Sequence, residues 1–190
     1  MDNVFKRNYR GSIKLAIFDW AGTVIDYGCC APAAVFIEGF RRRGVQVTMG
    51  QAREPMGMEK RAHIRVLGKM ETVASQWQEL YGQPMTENDV DAIYDEFVPL
   101  LLNVLDDHST LIQGTVETIA ALREHGIHIA GTTGYFPEAM ERCAAAAADQ
   151  SYTPDTTISA NQVKAGRPAP WLIYEAMTRL DIYPPHAVVK

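Results

Sequence analysis

The sequence predicts an α/β fold: a doubly wound, parallel-sheet core interrupted by an all-helical insert. Three observations predict it. Short apolar runs of strand character alternate with helical segments at both ends of the chain, the pattern of βα units. Residues 28–106 carry helical periodicity and no strand signal. The first apolar run also ends on a carboxylate, Asp19, followed by a glycine turn and a threonine. Open parallel sheets bind ligands outside the carboxyl ends of their strands, so a polar group there is placed for chemistry.

Each element follows in order. Residues 13–18 (IKLAIF) form the first strand. Residues 31–43 form a helix closed by Gly44, a second helical region runs from Arg53 to Lys69, and a third covers residues 70–81. Thr86-Glu87-Asn88-Asp89 has the form of a helix start with an acidic first turn. It leads into Val90, Ile93, Tyr94, Phe97, Leu101 and Leu105, an apolar stripe at helical spacing. Residues 116–125 form a short helix ended by Gly126, and residues 127–131 a strand whose polar loop is Thr132-Thr133-Gly134. Pro137 suits the first turn of the next helix, residues 138–148. A strand at 156–159, a helix opened by Pro168 and Pro170, and a last apolar run, Ala187-Val188-Val189, complete the alternation. The expected division is residues 1–27 with 107–190 as the α/β core and 28–106 as the helical insert.

Composition excludes several classes of partner. The chain has 190 residues, 47% hydrophobic and 22% charged, with a net charge of -5 that argues against nucleic acid and anionic membrane. No apolar run reaches the ~18 residues of a membrane span. The polar start MDNVFKRNYRGS lacks a signal-peptide core, so the cytoplasm is the expected location. Cys29, Cys30 and Cys143 lack metal-ligand spacing and are expected to be reduced thiols.

Asp19 at one strand end and Thr132-Thr133 at another are the candidate site. The turn Trp20-Ala21-Gly22-Thr23 can point backbone N–H groups inward and make a concavity for an anion. A carboxylate beside a phosphate calls for a bridging cation, or for attack on phosphorus by the carboxylate itself. Asp19 is thus either a nucleophile or a structural aspartate at a strand end. Lys60 lies on helical sequence with Met56 and His63 about one turn to either side; taken alone it reads as a solvated charge.

The segment Ile17-Phe18-Asp19-Trp20-Ala21-Gly22-Thr23 resembles the first motif of the haloacid dehalogenase superfamily, and in particular its phosphonoacetaldehyde hydrolase branch. The similarity continues through Asp26-Tyr27-Gly28-Cys29, Pro55-Met56-Gly57, Lys60, His63, Gly131-Thr132-Thr133-Gly134-Tyr135 and Ala165-Gly166-Arg167-Pro168. The superfamily's phosphatases carry a second Asp, the general acid, where this chain has Ala21. The resemblance implies a Rossmann-like core of haloacid dehalogenase type with a helical cap, and hydrolysis of the carbon–phosphorus bond of phosphonoacetaldehyde. Asp19 would be the nucleophile and Lys60 the amine that forms a Schiff base with the substrate aldehyde. Thr133, Arg167, Gly22 and Thr23 would bind phosphate, and Cys29, Met56, His63 and Tyr135 would line the pocket. His63 would either shuttle protons or simply pack. Magnesium would be held by Asp19 and the carbonyl of Ala21, and two chains would pair as a homodimer through the cap.

The superfamily's fourth motif, an acidic loop, follows the strand that here reads Ala187-Val188-Val189-Lys190. The chain is therefore expected to be C-terminally truncated before that motif. This keeps an alternative open: a weakly active or inactive member that only binds phosphate or phosphonate. A general phosphatase is a further alternative, opposed by Ala21.

Overall fold

The computed structural model describes residues 11–190, so the polar start of the chain lies outside the described residues. Four parallel strands form one sheet in the order β3-β2-β1-β4. They are β1 (Leu15–Asp19), β2 (His128–Thr133), β3 (Thr156–Ser159) and β4 (Val188–Val189). Between β1 and β2 come six helices: α1 (Cys30–Arg41), α2 (Met49–Arg53), α3 (Lys60–Lys69), α4 (Glu71–Tyr81), α5 (Glu87–Val104) and α6 (Thr115–Glu124). Helix α7 (Pro137–Ala148) joins β2 to β3, and α8 (Trp171–Arg179) joins β3 to β4. Parallel neighbours need such crossovers, which is why strands and helices alternate.

Two expectations change. The region 53–69 is not one helix: the chain leaves α2 at Arg53 and starts α3 only at Lys60. Pro55 and Gly57, with φ +93° at Gly57, make the break. Met56 therefore lies in a turn, and Lys60 opens a helix instead of sitting inside one. Thr132 and Thr133 belong to β2 and not to a loop, because pairing with Ile158 and Ser159 carries the strand on.

The sheet buries both faces, as parallel sheets do. On one face Leu15, Ile17, Ala130 and Ile158 pack against Leu172, Ala176 and Met177 of α8. On the other, one continuous cluster runs from Ala16, Trp20 and Ile129 through Phe36, Phe40, Ile64, Trp77 and Phe97 of the helical insert. Burying each of these large side chains stabilises the fold by about 1.5–3 kcal/mol.

The chain passes between sheet and insert twice, and the two passages are tied side by side. Ile25 bridges Leu111 in antiparallel fashion and Ile112 N–H donates to the Val24 carbonyl. Buried Asp26 accepts from Cys30 and Ala31 N–H at 2.9 and 3.0 Å and lies 3.2 Å from Nδ1 of His108. The first two contacts satisfy donors at the start of α1 and place negative charge at its positive end.

Candidate active site

Asp19 stands at the end of β1, in register with Thr132 of β2. Its carboxylate is gripped by Arg167 from the loop after β3, Nη1 to Oδ2 at 2.5 Å and Nη2 to Oδ1 at 3.1 Å. Oδ1 also accepts from Trp20 N–H at 2.8 Å. A bidentate guanidinium is the stronger and more directional of the cationic partners a carboxylate can have. The same guanidinium reaches the Thr132 carbonyl, 3.4 Å from Nη2.

Thr133 is buried, and its hydroxyl oxygen accepts from Tyr135 N–H at 3.0 Å, which leaves its own O–H to donate elsewhere. For Gly22 and Thr23 the expectation of inward backbone N–H groups is corrected. Their N–H groups donate to the carbonyls of Ile25 and Trp20, and Val24 and Ile25 N–H also turn back to Trp20. The turn spends these donors on itself, so the expected concavity of inward N–H groups is not formed by these two residues.

Lys60 is 3% exposed, the first residue of α3. Its Nζ lies 4.9 Å from the centre of the Tyr135 ring and 5.7 Å from that of Phe36. Burial lowers its pKa from 10.5 to about 8; Arg167 pushes the same way, while Cys29, Asp19 and Glu59 oppose. The position at a helix N-terminus also disfavours a cation. A free lysine is neutral about once in two thousand molecules at pH 7, this one about once in ten. Glu59 holds the helix start in place, its carboxylate accepting from Arg61 and Ala62 N–H, both at 2.8 Å.

The ring of His63 is fully buried, stacked on Phe36 at 3.8 Å, with Nε2 3.0 Å from the Ala52 carbonyl. That contact requires the proton on Nε2. Burial, with the Lys60 charge, lowers its pKa to about 3. The His63 imidazole is thus neutral in this arrangement, with Nδ1 buried and without a hydrogen-bond partner. Cys29 sits at the start of α1 with φ +53°, and burial raises its thiol to about 11, so it is no thiolate. Tyr135 is buried and its hydroxyl makes no hydrogen bond. Met56, in the turn before α3, is half-buried against the larger core cluster.

Sequence reasoning missed Phe36, Glu59 and Lys190. Phe36 is one of many apolar residues on α1, and nothing local marks it as the floor beneath an amine. Lys190 lines a depression of 360 Å³ with Asp19, Phe18 and Thr23, and burial lowers its pKa. A second depression of 770 Å³, among α3, α4 and the start of α5, includes Arg65, Gly68, Gln78 and Met85 and touches none of this chemistry.

A hard cation of magnesium type takes oxygen donors, often one or two carboxylates with phosphate and water. Asp19 and the Ala21 carbonyl offer that kind of donor. Among the described residues no three His, Cys, Asp or Glu side chains gather for a metal. The fit therefore extends to one carboxylate and one carbonyl, in competition with Arg167 for the same carboxylate.

A parallel sheet with an acidic strand end, an Arg-bearing loop and a helical insert defines a hydrolase of the haloacid dehalogenase type. A haloacid dehalogenase-like hydrolase profile matches residues 13–189, and the chain belongs to that family. It is 46% identical over 178 residues to the phosphonoacetaldehyde hydrolase of Bacillus cereus (strain G9842) and 45% identical to that of Bacillus anthracis. Each match covers 94% of this chain and 67% of the relative. The crystal structure of a phosphonoacetaldehyde hydrolase-like protein from Oleispira antarctica superposes with a TM-score of 0.90 at 38% identity, over 94% of this chain and 64% of that one. A hydrolase from Pseudomonas syringae, at 15% identity and a TM-score of 0.71 over 92% and 74% of the two chains, shares the fold alone. The chain spans about two thirds of the length of the curated relatives it matches.

Proposed function

We propose that this protein cleaves the carbon–phosphorus bond of phosphonoacetaldehyde, giving acetaldehyde and phosphate. The observation that carries the reading is Lys60: a desolvated amine held against Tyr135 and Phe36, within electrostatic reach of Asp19 and Arg167. The relatives' name supplies the substrate. Residues 28–106 act as a cap over a core made of 1–27 and 107–190.

The chemistry needs both groups. Direct departure of carbon from phosphorus would leave a carbanion. In the proposed route the lone pair of Lys60 Nζ adds to the aldehyde carbon, and loss of water gives an iminium. A carboxylate oxygen of Asp19 then attacks phosphorus. The carbon–phosphorus electron pair flows into the iminium and leaves as a neutral enamine. Protonation at carbon and hydrolysis by water release acetaldehyde and free Lys60. A second water splits the aspartyl-phosphate to phosphate and Asp19. No oxygen leaving group needs a proton, which accounts for Ala21 in place of the phosphatases' acid. Arg167 and the Thr133 hydroxyl orient the phosphonate oxygens and balance their charge. Magnesium, when bound at Asp19 and the Ala21 carbonyl, would add further charge neutralisation.

His63 serves as packing, on the strength of its Ala52 contact. The cytoplasmic setting is supported by three free cysteines, and no helix among the described residues is long and apolar enough to cross a membrane. Pairing through the cap into a homodimer rests on the resemblance and is checked by sedimentation.

The decisive experiment incubates the protein with phosphonoacetaldehyde, magnesium and borohydride. The expected result is a reduced adduct on Lys60 by mass spectrometry, absent in Lys60→Arg, together with phosphate release when borohydride is omitted. Turnover without an adduct would eliminate the imine. Phosphate binding with neither adduct nor turnover would establish the binding-only alternative.

A further inference from the structure

The turn between α2 and α3 meets the core across residues that have no side chains. A β-carbon built on Gly134, just after β2, would overlap the carbonyl oxygen of Met58 and stand 3.0 Å from that of Gly57. Gly134 is outside the left-handed region, so alanine could adopt its backbone; space, not conformation, calls for glycine there. On the facing side, a β-carbon on Gly57 would stand 2.9 Å from Nη1 of Arg167, the nitrogen that holds Oδ2 of Asp19. A β-carbon on Gly166, next to Arg167, would stand 3.8 Å from Cβ of Glu59, the residue that caps α3.

The turn thus rests directly on the loops that carry Tyr135 and Arg167. Two residues after Met58 the chain enters α3 with Lys60. The height of this seat decides how far Lys60 descends toward the Tyr135 ring, because Gly134 and Tyr135 are adjacent and Glu59 fixes the helix start.

We propose that Gly134 is a positioning residue: a bare seat for the Gly57–Met58 backbone that sets Lys60 in its dry pocket against the Tyr135 and Phe36 rings. Its catalytic consequence rests on the imine reading above, while its effect on the amine does not. A methyl group at Gly134 must lift the turn, admit water to Lys60 and return the amine toward its ordinary basicity. Packed backbones of this kind yield little to overlap.

The test needs no substrate. Competitive labelling of Lys60 with acetic anhydride from pH 6 to 11, read by mass spectrometry, titrates the amine. The wild-type midpoint is expected at about 8. Gly134→Ala is expected at least one pH unit higher, leaving about a tenfold smaller neutral fraction at pH 7. With phosphonoacetaldehyde and borohydride, the variant should trap about tenfold more slowly at pH 7 and regain the wild-type rate as the pH rises. A purely structural defect would lower trapping equally at every pH. A Gly134→Ala protein that melts cooperatively with an unshifted midpoint overturns the proposal. If Gly134→Ala does not fold, Gly57→Ala is scored in the same way. Failure of both to fold also overturns it, since the glycines would then serve folding instead of seating. A wild type with its midpoint near 8 and no trapped adduct would instead remove the imine reading and leave the seat intact.

Discussion

The two halves of the site treat charge in opposite ways. At the end of β1 the Asp19 carboxylate is fully partnered: Arg167 holds both carboxylate oxygens and Trp20 N–H adds a third contact. At the start of α3, Lys60 is 3% exposed, faces two aromatic rings, and is pushed toward its neutral form. The difference matches what the proposed reaction asks of each. A nucleophilic carboxylate has to stay ionised, and a neighbouring cation favours that; an amine that adds to an aldehyde has to lose its proton, and dryness favours that. The carboxyl end of β1 supplies the first environment, and Phe36 of α1 together with Tyr135 after β2 supplies the second.

The strongest way to break this contrast is Asp19→Asn. Phosphate release from phosphonoacetaldehyde should fall by roughly a thousandfold or more, as expected when a nucleophile is removed. A variant within tenfold of wild type would end the nucleophile assignment. Lys60→Met probes the other half through stability. Folding lowers the lysine pKa from 10.5 to about 8, so the cost of burying its ammonium is fully present below pH 8. That cost disappears as the pH rises to 10.5. Urea melts should therefore find Lys60→Met more stable than wild type by up to about 3 kcal/mol at pH 7, with the gap closing between pH 8 and 10.5. A gap independent of pH would show that Lys60 is not strained as a cation.

His63 sharpens the contrast on its acid side. Its pKa falls from 6.5 to about 3 on folding, so stability is intact above 6.5 and declines as pH drops toward 3. His63→Gln keeps an N–H for the Ala52 carbonyl but does not titrate. Wild type should lose about 2 kcal/mol between pH 7 and pH 5 that the variant does not lose. Parallel acid limbs in the two proteins would reject a neutral, buried imidazole. The smallest effect belongs to Tyr135→Phe. The hydroxyl has no hydrogen-bond partner, so its removal should change stability by less than about 1 kcal/mol and leave the ring against Lys60. A larger loss in thermal melts would show that the hydroxyl is engaged.

Much of this was legible in the sequence, for reasons that differ by residue. Asp19 could be read because a strand pattern ends on it, and local pattern decides strand ends. The alternation of strands and helices gave the sheet and its crossovers for the same reason. The break between α2 and α3 was also written there, in Pro55 and Gly57, but the helical periodicity on both sides masked it. Gly22 and Thr23 misled because a glycine turn can point its N–H groups either inward or back on itself. Only the closure of Gly22 and Thr23 onto Ile25 and Trp20 decides which. Phe36 was out of reach, since its meeting with Lys60 and His63 joins α1 to α3 across the insert. Glu59 was hidden by its type, as a glutamate is not among the favoured residues at a helix N-cap.

The paired passages near Asp26 and His108 carry a mechanical meaning. Two chain segments are pinned to each other at three points, Ile25–Leu111, Val24–Ile112 and Asp26–His108. Sliding or twisting one segment against the other would have to break all three contacts together.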